Sequence, residues 1–99
     1  MYIGETPSAI APDLKVFPNP FAPSDSVPMR FTNIPAKSVM RIYTLSGKLV
    51  TTLKEEDFGG EISWNGKNKS GKKIQPGLYV YVLTDEQGKS KTGRIVIKR

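Results

Sequence analysis

The chain has 99 residues, a net charge of +6, and neither cysteine nor histidine. That length suits one domain with a single modest core. Without cysteine there is no disulfide framework or thiolate metal site, and without histidine the commonest general base and metal ligand is missing.

Residues 1–12 read as a linker or tail, because Gly4, Pro7, Ser8, Ala9, Ala11 and Pro12 give it little to bury. Residues 1–5 lack the basic start and apolar run of a signal peptide, so an export leader is expected on a larger parent protein. Residues 14–17 make a short first strand, ended by the proline-rich run Pro18-Asn19-Pro20-Phe21-Ala22-Pro23. Phe21 is the one large apolar residue of that loop and is expected to plug the end of the core. Residues 27–33 alternate, with Val27, Met29 and Phe31 on one face; Pro28 suggests an edge strand. Residues 38–45 form the next strand, with Met40 and Ile42 on one face and Val39, Arg41 and Tyr43 on the other. Ser46-Gly47 turns the chain, and residues 48–53 return with an irregular apolar spacing that predicts a bulge.

Residues 61–64 are a strand with Ile62 and Trp64 inward. The stretch from Trp64 to Tyr79 then carries the chain over a corner. Asn65-Gly66 and Ser70-Gly71 tolerate positive φ, and Pro76-Gly77 is a type II turn signal. Residues 78–84 are apolar on both faces, with Tyr79, Tyr81 and Leu83 in one row and Leu78, Val80 and Val82 in the other. This predicts a central strand, or an outer face that something covers. Tyr79 is placed like a tyrosine corner. After the turn at residues 85–88, residues 90–98 form the last strand, with Ile95 and Ile97 opposed to Arg94, Val96 and Lys98.

About seven strands, turn residues between them and no helical period predict an all-β fold: a small antiparallel β-sandwich of immunoglobulin or fibronectin type III kind over residues 14–99. The expected core is Val16, Met29, Phe31, Met40, Ile42, Val50, Ile62, Trp64, Tyr79, Tyr81, Leu83, Ile95 and Ile97. No apolar run approaches the roughly 18 residues of a membrane-spanning helix.

No catalytic chemistry is visible. Glu55, Glu56 and Asp57 are adjacent rather than alternating, which suits a solvated loop better than a Ca²⁺ site. No carboxylate pair is marked for glycoside hydrolysis. The Gly-x-x-x-x-Gly from Gly66 to Gly71 is followed by Lys72-Lys73 and no helix, so it is not a phosphate loop. Neither a metal nor a cofactor is expected. The basic last third lacks the interleaved aromatic residues of nucleic-acid modules, so it reads as a solvated surface and nucleic acid is not an expected partner. Outward aromatic rings at Tyr2, Tyr43 and Phe58 leave polysaccharide binding as an alternative.

Certain residues, taken in order, resemble a known family. They are Val16-Phe17-Pro18-Asn19-Pro20-Phe21, Ile42-Tyr43-Thr44-Leu45-Ser46-Gly47-Lys48-Leu49-Val50, Trp64-Asn65-Gly66-Lys67-Asn68, Gly71, Pro76-Gly77-Leu78-Tyr79 and the terminus Arg94-Ile95-Val96-Ile97-Lys98-Arg99. This series is similar to the C-terminal domains of proteins exported by the type IX secretion system. It also resembles the immunoglobulin-like domain of flagellar hook-capping proteins. Asn65 and Thr44 depart from the pattern, each standing where aspartate is usual; without the first carboxylate, cation binding at that turn loses its basis.

The resemblance implies a non-catalytic sorting module at the C-terminal end of a larger secreted protein. Its partners would be the outer-membrane secretion machinery and the preceding domain, and its destination the cell surface or medium by way of the periplasm. The residues matching the parts associated with sorting are Gly77, Tyr79, Lys89, Lys91, Arg94, Lys98 and Arg99. A terminal strand with basic residues alternating outward suggests reading by strand addition or by an acidic groove. The alternative is a carbohydrate-binding or spacer and assembly sandwich appended to a secreted enzyme or surface protein, with weak dimerisation through the two-faced strand.

Overall fold

The computed structural model describes residues 11–23, 27–55 and 59–98. Seven strands follow one another: β1 (Lys15–Phe17), β2 (Met29–Thr32), β3 (Val39–Thr44), β4 (Leu49–Lys54), β5 (Glu61–Trp64), β6 (Gly77–Thr84) and β7 (Ser90–Ile97). They form a three-stranded sheet in the order β1-β2-β5 and a four-stranded sheet in the order β4-β3-β6-β7. Every pairing between them is antiparallel. This is the expected all-β sandwich.

Alternation along the strands decides the core. Met29 and Phe31 of β2, Met40 and Ile42 of β3, Ile62 and Trp64 of β5, Tyr79, Tyr81 and Leu83 of β6 and Ile95 and Ile97 of β7 are all buried. Fully burying one such side chain is worth about 1.5–3 kcal/mol before chain entropy is set against it. The Phe31 and Tyr81 rings meet edge to face at 5.6 Å across the two sheets, a favourable quadrupolar geometry. The bulge expected in the fourth strand is present. Ile42 pairs with Thr51 but Tyr43 pairs with Leu49, so Val50 is the extra residue. Val50 and Thr51 are consecutive and both buried, which an unbulged strand would not allow.

Four local readings change. β2 is the middle strand of its sheet, not an edge; Pro28 precedes the first paired residue, Met29, so its missing N–H interrupts no ladder. Val27 is 56% exposed and lies outside β2, so it takes no place in the core. Val16 is only partly buried, on the short edge strand β1. Ala11, assigned to the tail, is buried in the core cluster. Phe21 plugs the core as expected: it is 1% exposed and lies 6.2 Å from the Trp64 ring.

The loop after β4 also differs from expectation. Glu55 is buried rather than solvated. Its Oε1 accepts the Lys37 N–H and its Oε2 accepts the Gly60 N–H, each at 3.0 Å. Its own N–H donates to the Ser38 carbonyl. One carboxylate thus ties two loops together at one end of the sandwich by charge-assisted bonds. Glu56, Asp57 and Phe58 lie outside the described residues, as does Tyr2.

Candidate recognition surface

The corner leading into β6 is built from its own backbone. Asn65 Oδ1 accepts from the Lys67 N–H, and Asn68 Oδ1 accepts from the N–H groups of Ser70 and Lys72. Both are side-chain mimics of turns. The Trp64 indole N–H donates to the Lys67 carbonyl at 2.9 Å. Gly66 has φ +80°, and a Cβ there would meet Pro23 at 2.7 Å, so both backbone sign and space require glycine. Gly77 opens β6 at φ +150°, also outside the range that side chains favour. The Tyr79 hydroxyl then donates to the Gln75 carbonyl at 2.7 Å, four residues upstream. That is the tyrosine corner expected from the sequence. Burial pushes the Tyr79 and Tyr81 phenols above their ordinary pKa, because a phenolate loses more hydration than a phenol.

β7 ends the four-stranded sheet, yet its C-terminal half does not present a bare edge. The Val96 carbonyl accepts the Phe21 N–H and the Lys98 N–H donates to the Phe21 carbonyl, both at 2.8 Å. The Val96 N–H donates to Asn19 Oδ1 at 3.0 Å, and the Asn19 amide donates to the Arg94 carbonyl. The proline-rich loop therefore occupies the strand edge where an added strand would pair. The peptide bonds before Pro18 and Pro20 are both cis.

The outer face of this sheet follows from the register. Leu49, Tyr43, Val80 and Arg94 stand in one row; Thr52, Arg41, Val82 and Thr92 in the next; Lys54, Val39, Thr84 and Ser90 in a third. Leu78 and Val96 pair beyond them. Paired residues point to the same face, so this surface carries an apolar centre with cations among it. None of β3, β4, β6 and β7 contains an aspartate or glutamate.

The basic candidates do not all share that face. Arg94 is exposed on it, and Lys98 is exposed just beyond the end of β7. Lys89 is exposed in the preceding turn, where its N–H donates to Asp85 Oδ1. Lys91 has the core-facing parity of Ile95 and Ile97, and its Nζ reaches the Ala11 carbonyl at 2.8 Å. Lys91 thus ties the N-terminal segment to the sheet. Arg99 lies outside the described residues. Sequence reasoning did not single out Arg41 and Lys54; the signal was their parity in strands whose opposite parity is buried.

On the three-stranded sheet, Arg30 and Glu61 pair through two bonds of 2.6 and 2.8 Å. That hydrogen-bonded guanidinium holds the Glu61 carboxyl below its usual pKa. The Arg30 guanidinium also lies 5.2 Å over the Phe17 ring. No cluster of acidic residues suited to a metal ion occurs among the described residues. Tyr43 is half-buried within its row rather than standing out as a sugar-stacking platform.

The comparisons with known proteins agree with this architecture. Residues 15–98 match the family described as the secretion system C-terminal sorting domain. The chain belongs to this family. Two solved structures from Porphyromonas gingivalis are similar to the sorting domain. One is PorZ, described as an essential bacterial surface component of the type-IX secretion system. It is 25% identical, with a TM-score of 0.72, over 88% of this chain and 12% of that one. The other is dimeric latent PorU, 28% identical with a TM-score of 0.59, over 95% of this chain and 10% of that one. The sorting domain thus spans about a tenth of each of these longer proteins. No curated protein matches it. The sorting domain is a C-terminal signal that directs a protein through type IX secretion to the cell surface or medium.

Proposed function

We propose that this sorting domain is a non-catalytic address, and that the outer-membrane machinery reads it through side-chain charge at its last strand. Lys89, Arg94, Lys98 and Arg99 are the contact residues. Gly77 and Tyr79 act by holding the corner, and Lys91 by anchoring the segment that precedes β1. The preceding domain of the parent protein is the passenger.

The observation that carries this reading is the occupied edge beneath Arg94 and Lys98. The Phe21 backbone and Asn19 side chain already use the outward backbone groups there. A partner that meets the closed domain finds guanidinium and ammonium groups before it finds a free strand. An acidic groove suits those groups, and desolvated charge pairs fix orientation.

The test carries the whole chain at the C-terminus of a reporter enzyme in a bacterium with a type IX system. Neutralising Lys89, Arg94, Lys98 and Arg99 together to glutamine is expected to cut the exported fraction about tenfold, the equivalent of roughly 1.4 kcal/mol. Tyr79→Phe, which loses one hydrogen bond and no charge, is expected to export normally at growth temperature. Export unchanged by the four neutral substitutions would overturn the assignment of these residues. Specific activity of the enzyme per molecule is expected to be the same with and without the domain.

A further inference from the structure

We infer that the outer face of the four-stranded sheet is a docking surface for a protein partner with an apolar centre and a carboxylate rim. This rests on the sorting reading above and extends the recognised area beyond the last strand, onto β3 and β4.

Two features of the face point to that occupant. Its centre is apolar where a solvated sheet face would be polar. Tyr43 sits directly beside Val80, and Leu78 and Val96, one pair further on, remain 37% and 40% exposed. Solvated antiparallel sheets ordinarily alternate apolar inside and polar outside, so this second apolar row has no role in the fold's own core. Its charge is of one sign. Arg41, Lys54 and Arg94 each stand in a different row of the face, and the four strands contribute no carboxylate. The described acidic residues that adjoin these strands, Glu55 after β4 and those in the turn after β6, are already engaged, Glu55 by the Lys37 and Gly60 N–H groups. Asp85 accepts backbone N–H groups and Glu86 pairs with Lys37.

The combination selects among partners. A second copy docked face to face would set cations against cations in a low-dielectric contact. A polyanion would satisfy the cations and leave the apolar centre wet. A protein surface with matching apolar area and a ring of aspartate and glutamate satisfies both.

The experiment uses the same full-length fusion. Arg41→Glu with Lys54→Glu reverses two charges on strands remote from β7. Lys69→Glu with Lys72→Glu makes the same change in net charge on the turn arm and serves as the control. The face pair is expected to reduce export at least tenfold and the arm pair less than twofold, with both variants melting within a few degrees of the parent. Arg41→Lys, which keeps the charge, is expected to retain export. Equal export of the face and arm variants would overturn the docking surface while leaving the sorting reading intact. A parent fusion that stays inside the cell would instead remove the sorting reading itself, and the proposal with it.

Two further outcomes would reassign the face. Sedimentation of the isolated fusion showing a dimer that Val80→Glu dissolves would assign it to a second copy. Retention on an anionic polysaccharide that Arg41→Glu abolishes, with export unaltered, would assign it to a polyanion.

Discussion

The hydroxyl end of the Tyr81 ring covers Gly93 on the neighbouring strand, in the space where any other residue would place its Cβ. A strand interior is a poor place for glycine unless something packs over it, and here the aromatic ring does. Gly93→Ala is therefore expected to destabilise the fold by about 1–3 kcal/mol through overpacking. Chemical denaturation measures it. In a Tyr81→Ala background the same substitution should cost far less, because the obstructing ring is gone, and a double-mutant cycle reads the difference.

Phe21 both fills the end of the core and bonds the edge of β7. Phe21→Ala is expected to cost about 3–5 kcal/mol, as for other large-to-small changes at buried aromatic positions. The amides of Val96 and Lys98 bond to this loop, so their hydrogen-exchange protection should fall further than that of Ile95, which faces β6. Equal loss at all three would mean that the loop does not guard the edge.

Glu55 satisfies two backbone N–H groups with one buried carboxylate. Glu55→Ala leaves both donors without that partner and is expected to cost about 1–3 kcal/mol. Glu55→Gln keeps one acceptor oxygen and should recover part of the loss. Thermal melts of the two variants, compared with Lys54→Ala as an exposed neighbour, separate this effect from general loop sensitivity.

The titration of two groups sets opposite limits on stability. Glu61 has its pKa lowered in the fold by Arg30, so its contribution is present above the unfolded value and is lost as pH falls through the folded one. The pair is exposed and the effect should be small and screened by salt. Tyr81 has its pKa raised by burial from the ordinary 10.0. Its contribution is full below that value and is lost as pH rises through the folded pKa. Stability should therefore decline above about pH 10, and Tyr81→Phe should flatten that decline while changing little at pH 7. Denaturation midpoints across the two ranges check both signs.

Much of the fold was legible because the informative residues are those whose periodicity the core enforces. Phe31, Ile62 and Trp64 alternate with polar neighbours, and the tyrosine corner follows from Pro76-Gly77 placing Tyr79 at the start of its strand. What escaped has a common cause, which is that it depends on which distant segment comes to rest alongside. Nothing near Glu55 in sequence says that the Lys37 and Gly60 backbones will converge on its carboxylate. Pro28 reads as an edge signal until the ladder is seen to begin one residue later. Lys91 looks like its basic neighbours until parity and the docking of Ala11 set it apart. The outer sheet face was half visible. The two apolar rows of residues 78–84 announced it, but the cations that frame it come from strands whose order only the three-dimensional arrangement supplies.

The measurement that bears most directly on the account is the location of a reporter fused ahead of residues 1–99. It would be quantified by mass spectrometry in periplasm, cell surface and medium, in cells with and without a working type IX system. The account predicts reporter peptides at the surface or in the medium only when the system works, and in the periplasm when it does not. Reporter peptides held in the periplasm in both strains, with the domain folded and intact, would contradict it.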